Sequence, residues 1–124
     1  MELESSYLVD SHCHLNFKDF EDDFEEVIKR ARDSNVGIMV SISTELDEID
    51  QIINIAEKYK NIFCTVGVHP HSTNIQKDLN ESYLVEKASN PNVIGIGETG
   101  LDFFHENSLK ENQIDSFIKH INVS

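Results

Sequence analysis

Four short apolar runs rich in β-branched residues mark the chain at intervals: Tyr7-Leu8-Val9, Val36–Ile42, Ile62–Val68 and Val93–Gly97. Strands that are apolar at nearly every position, rather than at every second one, read as members of a parallel sheet covered on both faces. Between the runs, apolar residues return at helical spacing. Phe20, Phe24, Val27, Ile28 and Ala31 make one stripe, and Ile49, Ile52, Ile53, Ala56 and Tyr59 a second, each with acids and lysines on the opposite face. Thr44 stands where it would cap the second helix. Ser108-Leu109-Lys110-Glu111 reads as a capping box that opens a last helix continued by Ile114, Phe117, Ile118 and Ile121. A weaker helical pattern runs from Leu79 to Ala88, after a stretch over 73–82 whose Asn, Ser and Asp read as a connecting loop.

The strand starts recur at about 30 residues, the length of one βαβ unit with its crossover. Such a chain closes as an open doubly wound sheet or as a (βα)8 barrel, and composition does not choose between them. With 124 residues and 39% hydrophobic composition, the chain can bury one sizeable core, and a single domain over 1–124 is expected. The formal net charge of -13 argues against broad attraction to nucleic-acid phosphate or an anionic membrane, both of which need clustered Lys and Arg. An anionic substrate would therefore require a local attractor such as a metal ion. Cys13 and Cys64 form no C-x-x-C pair, and Met1 to Asp10 lacks the basic flank and apolar run of a signal peptide. No run approaches the roughly 20 apolar residues of a spanning helix, so a soluble protein of the reducing cytoplasm is expected, with no membrane partner.

The residues at the strand ends carry the chemistry. In Asp10-Ser11-His12-Cys13-His14-Leu15, residues two apart in extended chain share a face, so both imidazoles can converge on one ion while Cys13 points away. Imidazole nitrogen suits Zn, Mn, Fe, Co or Ni. Asp10 is placed either to orient one imidazole or to accept a hydrogen bond at the strand end. Glu98 follows the fourth run in Gly95-Ile96-Gly97-Glu98-Thr99-Gly100-Leu101-Asp102, where glycines allow close backbone approach and a carboxylate could bridge two metals. Asp102 either supports a metal ligand through a hydrogen bond or accepts one at a helix start. Gly67-Val68-His69-Pro70-His71 ends the third run similarly, with His69 as either a contact for substrate phosphate or a metal-bound water or an exposed loop histidine. His71, beyond a rigid proline, is either a substrate contact or an exposed loop histidine. His105 and His120 lie away from strand ends and receive no role, and the two cysteines read as small buried apolar residues. Metal-assisted hydrolysis fits this set, whereas a Gly-rich phosphate loop and a Gly-x-Ser-x-Gly elbow are both lacking.

Taken in order, the segments around His12 and His14, around His69 and His71, and from Gly97 to Asp102 closely resemble the TatD-like metal-dependent deoxyribonucleases. The likeness extends to Gln113 and Phe117. It implies a TIM-type barrel of the amidohydrolase kind, two divalent ions (Mg, Mn or Zn), and hydrolysis of DNA phosphodiesters, often as a 3′ to 5′ exonuclease. Carried over, His12 and His14 resemble ligands of the first metal and Glu98 the carboxylate shared by both. The family's remaining ligands come from strands beyond the fourth, and a complete barrel takes about 250 residues. The expectation is therefore the N-terminal half of a (βα)8 barrel: about four βα units plus a following helix, with a partial metal site and reduced or absent activity alone. Its open sheet edges would invite self-association. A noncatalytic fragment or interaction module is the alternative from another class. Other barrel metallohydrolases acting on esters or amides, and PHP-type phosphoesterases, share the opening His-x-His, but the two later segments favour the deoxyribonucleases.

Overall fold

The computed structural model describes residues 6–76 and 78–124. Strand and helix alternate through β1 (Leu8–Cys13), α1 (Phe24–Asp33), β2 (Val36–Ser41), α2 (Ile49–Lys58), β3 (Ile62–Val66), α3 (Glu81–Ala88), β4 (Val93–Ile96) and α4 (Lys110–Val123). All four expected strands are present. They pair in parallel in the order β1-β2-β3-β4, with Met39 opposite Ile62 and Val66 opposite Ile96. Each crossover steps to the next strand in the same direction. Right-handed crossovers of that kind lay successive helices on one face of the sheet, as in a barrel, whereas a doubly wound sheet reverses its order and uses both faces.

The expectation of strands buried on both faces holds in the C-terminal half of β2, where Met39, Val40 and Ser41 are all buried, and fails in the strands beside it. Along β3, Ile62, Cys64 and Val66 are fully buried while the alternating Phe63 and Thr65 are only half-buried. The buried set packs with Ile28 of α1, with Ile49, Ile52, Ile53 and Ala56 of α2, and with Leu84 of α3. The outer strands are more open still. Leu8 is 62% exposed and Ile94 57%, because among the described residues β1 and β4 pair on one side only.

Two helix starts differ from the sequence reading. Thr44 does not cap α2; its hydroxyl donates to Glu48 Oε2 at 2.8 Å, and Glu45 with Glu48 forms the capping box of a 3-10 turn over Leu46–Glu48 that leads into the helix. Ser108 does not cap α4 either. Its hydroxyl donates to the His71 carbonyl at 2.9 Å and accepts from the Asn74 N–H, while Asn74 Oδ1 takes the Leu109 N–H. The largest departure is the face that α4 buries. Gln113, Ser116 and His120 point inward, and Ile114, Ile118 and Ile121 are exposed. The inward polar stripe lies against loop backbone and the end of β3, whose N–H and C=O groups need partners that apolar side chains cannot supply.

Candidate metal centre at the strand ends

β1 extends four residues beyond the apolar run, so His12 lies inside the strand and His14 one residue past it. The shared face holds: the two rings stand 5.2 Å apart, while Cys13 turns toward the core. His14 is fixed by a hydrogen bond in its ring plane and a stack on one face. Its Nδ1 lies 3.0 Å from the Ile42 carbonyl and its ring stacks on Phe17 at 4.5 Å. Because a carbonyl only accepts, Nδ1 carries the proton and the Nε2 lone pair is free for a metal. Asp10 does not touch an imidazole. Its Oδ1 accepts the His12 backbone N–H at 3.1 Å, the strand-end role.

Glu98 reaches the histidines because the ends of β3 and β4 meet backbone to backbone. A Cβ on Gly67 would lie 2.7 Å from Gly97 atoms, so only glycine permits that approach. Ser43, fully buried beyond β2, joins the three strand ends: its hydroxyl donates to the Gly67 carbonyl at 2.8 Å, and its carbonyl accepts the Glu98 N–H at 2.8 Å. Glu98 then presents Oε2 3.4 Å from His12 Nε2 and Oε1 3.4 Å from His69 Nε2. Donor atoms of His12, His14 and Glu98 lie within 4.8 Å of one another. Bonds of about 2.0–2.2 Å set neighbouring ligand atoms of a tetrahedral zinc site about 3.3 Å apart, so this donor set fits a divalent ion.

His69 differs in kind. Its Nδ1 accepts the His71 N–H at 3.0 Å, so the neutral ring keeps its proton on Nε2, directed toward Glu98. Burial pushes its pKa down, only partly opposed by the Glu98 charge. It is thus a neutral hydrogen-bond donor beside the donor cluster. His71 is no solvated loop histidine: its Nε2 lies 2.6 Å from Asp102 Oδ2, and His105 Nδ1 lies 2.7 Å from the same oxygen. Asp102 Oδ1 accepts the N–H groups of Phe104 and His105, so Asp102 holds its own loop rather than the start of α4. The hydrogen bonds from His71 and His105 hold its carboxyl well below the usual range.

The sequence reading gave no place to His105 or His120. His120 is buried, with Nε2 accepting the Val68 N–H at 2.9 Å and Nδ1 donating to the Ser116 carbonyl at 2.6 Å. Gln113, fully buried, accepts the Asp102 N–H at 2.7 Å and donates to the Asp102 and Ser108 carbonyls. The spacing of Gln113, Ser116 and His120 on one helix face was the available signal for both. The cysteines show no nucleophilic character: burial pushes the Cys13 thiol up to about 12 and Cys64 up to about 11. A cavity of about 1040 Å³ lined by Phe17, Lys18, Phe24, Gln51, Lys58 and Tyr59 adjoins the site through Phe17, which stacks on His14, but none of the clustered histidines lines it.

The family model described as TatD related DNase matches residues 9–124. This chain belongs to that family. An uncharacterized metal-dependent hydrolase of Buchnera aphidicola subsp. Acyrthosiphon pisum is 34% identical over 95% of this chain and 48% of its own length. The 3'-5' ssDNA/RNA exonuclease TatD of Shigella flexneri serotype 5b is 32% identical over 94% of the chain and 45% of its own. Among solved structures, a TatD family hydrolase from Entamoeba histolytica superposes with a TM-score of 0.80 at 25% identity, over 93% of this chain and 44% of that one. A TatD homolog from Escherichia coli K12 gives 0.78 at 24% identity, over 94% and 46%. This chain thus spans about half the length of the relatives it matches, and its four strands with their helices are an α/β half of the family's barrel. Among the described residues, no helix is long and apolar enough to cross a membrane.

Proposed function

We propose that this TatD-family chain supplies the first half of a divalent-metal-dependent phosphodiesterase that removes nucleotides from the 3′ end of single-stranded DNA. The observation that carries the reading is the convergence of His12, His14 and Glu98, from opposite edges of the sheet, into one donor set. The name of the Shigella relative supports the nucleic-acid substrate. His12 and His14 would hold a first ion through their free ring nitrogens, and Glu98, with two oxygens facing different histidines, is suited to a ligand shared with a second. When bound, a divalent ion (Zn, Mn or Mg) lowers the pKa of a water and neutralises phosphate oxygens, positive charge that a chain of net charge -13 lacks. His69 would offer its Nε2–H as a hydrogen bond to a phosphate oxygen at the same place. Asp102 fixes His71 beside it. The remaining ligands belong to the other half of the barrel, so full activity belongs to the assembled fold, reached with a longer chain or a second copy. Two free cysteines are in keeping with a reducing compartment such as the cytoplasm.

Metal content and release of 3′-terminal nucleotides from labelled single-stranded DNA, measured on one purified sample beside a His12→Ala, His14→Ala variant, test this. Wild type is expected to bind the ion at least about tenfold more tightly than the variant. Any ion-dependent nucleotide release is expected to disappear with the binding. Equal binding by both proteins overturns the site, and cleavage of phosphotriesters or amides but not DNA overturns the substrate.

A further inference from the structure

We propose that His71, Asp102 and His105 form a second transition-metal site, built from the β3–α3 and β4–α4 loops and separate from His12, His14 and Glu98. Their donor atoms, one from each side chain, lie within 4.8 Å of one another, and the trio shares no ligand with the first set. Two imidazoles and one carboxylate are the ligand types that bind Zn, Co or Ni, and three protein ligands leave a fourth position open. The site is held by dedicated contacts. Gln113 clamps the Asp102 backbone through both its N–H and its carbonyl, and the Phe104 and His105 N–H groups fix the free carboxylate oxygen. Ser108 takes the His71 carbonyl, tying one loop to the other.

With both rings donating to Asp102 Oδ2 at 2.6 and 2.7 Å, the trio is closed on itself by hydrogen bonds. Ligation requires each ring to present a lone pair instead, moving its proton to the other ring nitrogen, which leaves the proton count unchanged. Bonds of about 2.0–2.2 Å put ligand atoms about 3.3 Å apart, so the rings must withdraw by about 0.6 Å. His105 can do so by side-chain rotation, since it sits on the surface with 56% of its side chain exposed. The rings of His71 and His105, centroids 5.3 Å apart and inclined at 62°, already flank the carboxylate from two sides.

The test counts Zn²⁺ bound per full chain by equilibrium dialysis and follows the visible absorption of Co²⁺, in wild type, His105→Gln and Asp102→Asn. Glutamine keeps a hydrogen-bond donor for Asp102 while removing the ring, and thermal melting confirms that each variant folds. The expected result is one fewer equivalent of Zn²⁺ in both variants, with loss of one Co²⁺ absorption component. A decrease from two to one shows both sites present, and a decrease from one to zero shows this site alone, so the outcome is independent of the proposed nuclease site. Unchanged stoichiometry and affinity in His105→Gln overturns the proposal. So does loss of all binding in a His12→Ala, His14→Ala variant.

Discussion

Both nitrogens of the buried His120 ring are committed in its neutral form, one accepting from Val68 and the other donating to Ser116. Protonation would break the first bond and place a charge among buried groups, and burial accordingly pushes the pKa down. The unfolded chain binds the proton at the ordinary histidine value near 6.5, whereas the folded chain resists it until a lower pH. Stability is therefore fully present above about pH 6.5 and falls as pH drops through the window below it. His69, also pushed down, adds the same sign, so the comparison of wild type with His120→Gln isolates the effect. Denaturant unfolding in chelator between pH 7.5 and 5 is expected to show a shallower decline in the variant, and parallel curves would remove His120 from the account. Gln113 acts without titrating. Its truncation to alanine leaves the Asp102 N–H and two carbonyls short of a partner and is expected to cost about 1–3 kcal/mol in the same unfolding experiment.

At the level of elements, the contact of β3 with β4 decides whether Glu98 reaches the histidines. Gly67→Ala places a methyl 2.7 Å from the Gly97 backbone, which cannot rotate away, so the strand ends must separate. The variant is expected to lose about 1–3 kcal/mol of stability and to bind divalent metal more weakly than wild type. Unchanged affinity in a folded Gly67→Ala protein would show that the donor set tolerates the shift. Of this contact the sequence shows only the glycines flanking Glu98, whereas it marks β2, β3 and β4 and the start of β1 by apolar runs and α1 and α2 by their stripes. Where the reading departed, the reason was competition among possible partners. Ile114, Ile118 and Ile121 form a real helical stripe, but unpaired loop backbone near β3 took the polar face of α4 instead. Ser108 had the spacing of a cap, yet the His71 carbonyl and Asn74 N–H engaged it first. Polar Asp10 and Ser11 hide the continuation of β1, so the sequence shows only its apolar start, while backbone pairing with β2 carries the strand through Cys13. For Asp102, sequence spacing could not show that the ring of His71, some thirty positions earlier, closes on its carboxylate, because the parallel register of β3 and β4 creates that proximity.

Across the whole molecule, what matters most is the surface that the sheet leaves uncovered. Among the described residues β1 and β4 each pair on one side, so two strands present unpaired backbone groups beside exposed apolar side chains such as Leu8, Val9 and Ile94. Parallel sheets with both edges free are templates for further pairing, and the edge carries none of the lysines that commonly block it. The exposed Ile114, Ile118 and Ile121 of α4 add a second apolar surface beyond the sheet. The large net charge of -13 opposes association through mutual repulsion, and salt screens that repulsion. Edge pairing should therefore strengthen with ionic strength, the opposite of an interface held by ion pairs. In sedimentation velocity, the average mass of the purified chain is expected to rise with concentration and further with added salt. Leu8→Lys with Ile94→Lys should hold the chain monomeric with little change in melting temperature, because both side chains are already largely in solvent. A mass unmoved by those substitutions but lowered by Ile114→Lys with Ile118→Lys would assign the contact to α4. A monomer at every concentration and salt level would show that charge repulsion outweighs both surfaces, and would leave completion of the metal centre to residues on a longer chain.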